Sequence, residues 1–214
     1  MAAILPIDEI NRPIFDSERF IEQYFEPMEI SEEQKDERKK ASRDFRDFLL
    51  FLFAMLSVQI EYSSVDWQYF ETMFVSELTR AASQYARNTH LLEDYIADKA
   101  EEFTQITREH IGDGEYWTSE ERAAYEAVNE ANAVLGYEEF EKAKENGYTH
   151  KIWLTERDNR VRKDHAAVDG KKKKIDDYFL FPDCMMLMPH DDVHGTEQQT
   201  SNCRCSLKYT KEDG

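Results

Sequence analysis

Two short stretches near the C-terminus concentrate the residue types that do chemistry. The first is Asp158-Asn159-Arg160-Val161-Arg162-Lys163-Asp164-His165. On a helix, Asp158 and Arg162 stand four apart and Arg162 and His165 three apart, a spacing that puts them on one face. An Asp fixing an Arg beside a His can build an anion site or part of a metal site. The same residues also make an ordinary structural ion pair with a hydrogen-bonded His.

The second stretch is Asn202-Cys203-Arg204-Cys205. Two thiols separated by one residue fall on the same side of an extended segment, and a neighbouring Arg favours the thiolate. Together with His165, His190, His194 or Cys184, they offer the donor types of a tetrahedral zinc site. The two-residue spacing of a zinc ribbon is missing, and the alternative is two small buried side chains on a closing strand. A Cys203–Cys205 disulfide would close a strained ring, and three cysteines leave one over in any pairing. Lys171-Lys172-Lys173-Lys174 can touch phosphate or an acidic protein surface, or simply form an exposed polar turn. No glycine-rich phosphate loop, Gly-x-Ser-x-Gly elbow or His-Glu-x-x-His motif occurs, and no nucleophile–base pair stands out.

These residues need elements to hold them. All five prolines and all seven glycines of the chain lie outside residues 28–111, which argues for long helices there. Ser31-Glu32-Glu33-Gln34 reads as a capping box that opens a helix to about Ile60. The apolar run from Phe48 to Leu56 is too short for a bilayer span and predicts burial on several sides. Trp67, Phe70, Phe74, Leu78, Ala81 and Tyr85 step by three and four, and Leu92, Ile96, Ala100, Phe103 and Ile106 continue the stripe. Asn88-Thr89 is a candidate break in it. Thr118 with Glu121 is a second candidate cap, for a helix that Gly147 stops.

After Gly147 the texture changes. His150 to Thr155 alternates as a half-buried strand does. Asp158 to Ala167 reads as a short helix with Asp158 near its N-terminus. Asp169-Gly170 reads as a turn, Trp153 and Phe179 as core anchors, and Cys205 to Tyr209 as a closing strand. The fold class is therefore α+β: an acidic, mostly helical region over residues 1–146, then a small mixed module over residues 147–214.

Charge supports the same division. The chain of 214 residues carries a net charge of −18. Residues 1–150 hold 15 basic and 33 acidic side chains, whereas residues 151–214 hold 12 of each. The acidic part repels phosphate and suits a basic protein partner, whereas the neutral part is open to DNA. The opening residues 1–6 lack the basic start and apolar length of a signal peptide, so a cytosolic origin is expected.

In order along the chain, Trp153, Asp158, Arg160-Val161-Arg162, His165, Asp169-Gly170, Phe179, Pro189 with Asp191 or Asp192, and Asn202-Cys203-Arg204-Cys205 form a combined signature. It resembles the C-terminal domain of the phage Mu F-like family, the minor head or head morphogenesis proteins of tailed double-stranded DNA phages. The likeness covers about residues 147–209, with the helix before them a candidate extension. It implies a minor structural protein of the capsid interior, present in few copies, that associates with the portal during procapsid assembly and contacts packaged DNA. It also implies His165, Cys203 and Cys205 as metal ligands. The 180–202 segment departs from the family's glycine-containing stretch before the proline. The competing expectation is a metal-dependent hydrolase or nuclease delivered with the DNA.

Overall fold

A computed structural model describes residues 15–87 and 92–211. The opening residues 1–6 and the Asn88-Thr89 break lie outside the described residues. The first long elements are α1 (Ser17–Phe25), α2 (Glu32–Glu61) and α3 (Trp67–Ala82), followed by α4 (Glu93–His110) and α5 (Glu120–Glu145). Side chains begin most of them. The Asp16 carboxylate accepts from Arg19 N at 3.0 Å, and Asp66 accepts from Tyr69 N at 2.9 Å. Ser31 and Gln34 make the reciprocal capping box, each side chain serving the other's backbone N–H. Asn146 caps the end of α5 and Gly147 follows at φ 71°, a left-handed conformation open to glycine.

Helices α1, α3 and α5 pack on α2 around Phe45, Leu49, Leu52, Phe53 and Leu56. The expected burial of the apolar half of α2 on several sides narrows to one broad face. Phe51 and Val58 remain 54% and 55% exposed, because the neighbouring helices cover one broad face and leave the other to solvent. The cap of α5 also shifts. Ser119, not Thr118, has the extended backbone of a cap and accepts from Arg122 N at 3.1 Å. Thr118 instead ends a 3-10 turn, Glu115–Thr118. That turn carries Trp117 to the Arg122 guanidinium, which lies 4.9 Å from the Trp117 ring and 4.3 Å from that of Phe103.

The C-terminal module is built on an antiparallel sheet of order β2-β1-β5: β1 (His150–Leu154), β2 (Lys172–Lys174) and β5 (Ser206–Thr210). Lys172 to Lys174 therefore form an edge strand rather than a turn. Their side chains remain mostly exposed because β2 pairs on one side only. A second, two-stranded ladder joins β3 (Phe179–Leu180) to β4 (Met185–Met186). Two short helices complete the module, α6 (Lys163–Val168) and α7 (Glu197–Thr200). Trp153 and Phe179 are fully buried with Phe181, Met186 and the two C-terminal cysteines.

Within β1, alternation puts Lys151 on a buried face against α5. Its Nζ donates to the Ile175 carbonyl at 2.5 Å and lies 5.0 Å from the Phe140 ring. Burial pushes this amine down to about 8. The module also rests directly on the helices. Tyr24 of α1 donates to the Cys203 carbonyl at 3.2 Å, and Asn129 of α5 accepts from Asn202 N at 2.7 Å.

Candidate metal centre

Helix α6 begins at Lys163, five residues later than Asp158, so the expected shared face of Asp158, Arg162 and His165 does not form. The reason is local. Asp158 accepts from Arg160 N two residues on, at 2.9 Å, the Asx turn that competes with helix. Arg162 keeps an extended backbone at the helix start (φ −61°, ψ 145°) and its guanidinium donates to the Ser201 carbonyl. The partner of Asp158 is instead Arg204, which meets both carboxylate oxygens at 2.7 and 2.9 Å. Burial acts to raise the Asp158 pKa, and the hydrogen bonds from Arg204 and the Arg160 N–H, with the charges of both arginines, together outweigh it and leave the carboxyl below its ordinary value. Asp169 does similar work at the other end of α6. It accepts from Thr155 N and Arg157 Nε, while Gly170 at φ 71° returns its N–H to the Trp153 carbonyl.

These clamps carry His165 to the two cysteines. His165 Nδ1 lies 3.3 Å from Cys205 Sγ and 3.5 Å from Cys203 Sγ. The three residues are 1%, 6% and 3% exposed respectively. Asn202 enters the left-handed region at φ 54°, which Asn tolerates better than most residues, and so turns the chain into the Cys-Arg-Cys segment. Hydrogen bonds from Tyr24 and His190 Nε2, the latter at 2.6 Å, hold the Cys203 carbonyl. The two thiols titrate as a pair. The Cys205 hydrogen bond holds the Cys203 thiol well below its ordinary value against burial. The same bond, together with burial, pushes Cys205 up. The Trp153 indole N–H is buried without a conventional hydrogen-bond partner and sits beside Cys205.

The donor set suits a soft divalent ion. Zinc bonds of about 2.1 Å to nitrogen and 2.3 Å to sulfur make tetrahedral N–S edges of about 3.6 Å, slightly longer than the two observed separations. Among the described residues, this is the group of His, Cys, Asp and Glu side chains whose donor atoms converge within 4.8 Å, and it contains three members. Cys184, His190 and His194 are not among them. His190 is taken by the Cys203 carbonyl, and His194 Nδ1 faces Asp191 at 3.0 Å while its Nε2 meets the Tyr178 hydroxyl at 3.1 Å. Cys184 sits half-buried in the loop between β3 and β4, where its carbonyl accepts from Phe181 N.

Other residues of the site carry no signal in the sequence. Gln199, Asp183 and Tyr24 touch it across long stretches of chain, and none belongs to a spaced pattern with His165 or the cysteines.

A family model described as Phage Mu protein F like protein matches residues 98–208, just over half of the chain and reaching back through α5 into α4. No curated protein and no solved structure matches.

Proposed function

Because the chain belongs to the Phage Mu protein F like family, we propose that it is a minor head protein of a tailed double-stranded DNA phage, held inside the capsid on the portal during procapsid assembly. Membership in the family supports head morphogenesis, and the portal, the capsid interior and packaged DNA are our extension of it. The acidic helices suit a basic protein surface of the portal, capsid or scaffold. The neutral module, with the edge lysines of β2, is the part able to meet DNA. No helix among the described residues is long and apolar enough to cross a membrane.

His165, Cys203 and Cys205 would hold zinc as a structural cross-link between α6 and the segment entering β5. The observation that carries a structural reading over a hydrolase or nuclease is the burial of this group. All three side chains are buried, and two hydrogen bonds clamp the Cys203 carbonyl, which keeps substrate from the group. Bound there, zinc would supply folding energy rather than an activated water.

Two measurements test the proposal. Particles assembled without this chain should be defective, and purified chain should bind portal in a pull-down. Normal particles or absent portal binding would overturn the assembly role. Elemental analysis should find one zinc per chain, lost in His165→Ala, and a metal-free chain with unchanged stability would overturn the zinc cross-link.

A further inference from the structure

We infer that Gln199 and Asp183 are positioning residues that fix the tautomer of His165 and so aim its free lone pair at the two thiols. The inference deepens the zinc reading above and rests on it only for its metal-binding consequence.

The chain of reasoning is one of donors and acceptors. Gln199 Nε2 lies 2.9 Å from Asp183 Oδ1, and Thr196 Oγ1 donates to Asp183 Oδ2 at 3.0 Å. An ionised carboxylate only accepts, so the Gln199 atom facing it must be the amide nitrogen. The Gln199 carbonyl oxygen then faces His165 Nε2, at 3.1 Å. That oxygen only accepts as well, so Nε2 must carry the proton. In the neutral ring, Nδ1 is left as a bare lone pair, and it points at Cys203 and Cys205. Metal-bound histidines are commonly set by such an outer partner on the second nitrogen. Here the anchor of the relay is an exposed carboxylate on the loop before β4, while Gln199 itself is buried on α7.

Asp183→Asn breaks the logic without touching a buried group. The new amide can donate as well as accept, so the Gln199 amide is no longer held in one orientation and can turn to present its NH2 to His165. The imidazole then takes the Nδ1–H form, with a proton where a ligand is needed. Adding Gln199→Glu restores the original order, because the introduced carboxylate accepts both from the amide at 183 and from His165 Nε2.

Two readouts separate the relay from the metal. In the metal-free chain, two-bond proton–nitrogen NMR of labelled histidine should show His165 as the Nε2–H tautomer, shifted toward Nδ1–H in Asp183→Asn and recovered in the double variant. Zinc affinity, from competition with a chromophoric chelator, should fall about 10- to 100-fold in Asp183→Asn and return in the double variant. An Nδ1–H tautomer in the parent chain, or one unmoved by Asp183→Asn, would overturn the relay. A parent chain with the expected tautomer but no zinc binding would overturn the zinc reading and leave the relay standing.

Discussion

The helical region and the C-terminal module differ in how their helices are started. Asp16, Ser31, Asp66 and Ser119 each cap a helix with their own side chain. Helices α6 and α7 have no side-chain cap at all. Arg162, at the start of α6, spends its guanidinium on Ser201, across 39 positions of sequence. The first region is therefore written in local signals and closed by apolar packing. The second is written in distant polar contacts, as expected where short elements bury too little apolar surface to hold themselves. α4 is the exception among the long helices, with Leu92 before it and no side-chain cap.

The strongest way to break this comparison is to remove apolar bulk from the helices. The Phe103 ring lies 4.7 Å from that of Phe74, tilted against it, and under the Arg122 guanidinium. Phe103→Ala should cost about 3–5 kcal/mol in urea denaturation, the usual range for an emptied aromatic site. Trp153 emission, read in a chain whose Trp67 and Trp117 are replaced by Phe so that it reports the module alone, should shift to lower urea with the helical signal because Tyr24 and Asn129 tie the two together. Separate transitions would show that the interface couples little.

A smaller effect, about 1–3 kcal/mol, is expected from Arg204→Ala. The Arg204 side chain is nearly buried while Asp158 is about a third exposed, so solvent screening holds the figure below that of a fully buried pair. Loss should appear as a lower melting temperature followed at Trp153 in the same Trp67→Phe, Trp117→Phe background, with helix content retained. An unchanged melting temperature would mean that the module does not depend on its long-range ion pair.

Polar burial in the helical region gives a prediction of opposite sign. Glu130 on α5 accepts from the Tyr95 hydroxyl at 2.5 Å and lies 4.0 Å from Lys99. Burial pushes its carboxyl up to about 7, with Lys99 opposing. The folded chain therefore holds a proton that the unfolded chain has released between about pH 4.5 and 7. This group's contribution is most favourable below that window, declines as pH rises through it and is flat above. Glu130→Gln cannot ionise, so its stability relative to the parent should rise from pH 5 to pH 8, by about 1–2 kcal/mol. Parallel pH profiles for the two chains would show that Glu130 stays ionised throughout.

The same contrast explains what was legible in the sequence. The capping box at Ser31, the aromatic stripe through Trp67 and Phe103 and the stop at Gly147 are all local, and each lies where its spacing put it. Cys203 and Cys205 could be named by type as a compact Cys-x-Cys, and the family resemblance singled out His165 as their partner. Their supports could not be named in either way. Gln199 stands in a Glu-Gln-Gln run with nothing to single it out, and Asp183 acts only because a loop folds back on α7. The expected Asp158–Arg162 pair failed for a related reason. An i,i+4 argument presumes a helix, and the Asx turn at Asp158 excludes one there.

The smallest prediction probes a single misplaced signal, Thr118 against Ser119. Both are hydroxyl residues before an acidic first turn, and the Thr118–Glu121 spacing satisfies the capping-box pattern. What separates them is backbone. Glu115 to Thr118 wind into a 3-10 turn that docks Trp117 on Arg122, which leaves Ser119 as the first residue free to be extended (φ −87°, ψ 160°). Its hydroxyl therefore takes the Arg122 N–H. Ser119→Ala should cost about 1 kcal/mol in a urea titration, and Thr118→Ala markedly less. The reverse order would place the cap at Thr118 and remove the best case for a long-range contact overriding a local signal inside the helical region. The expected order would locate that override where an aromatic ring and a buried guanidinium set the register, the same kind of distant control that governs the module.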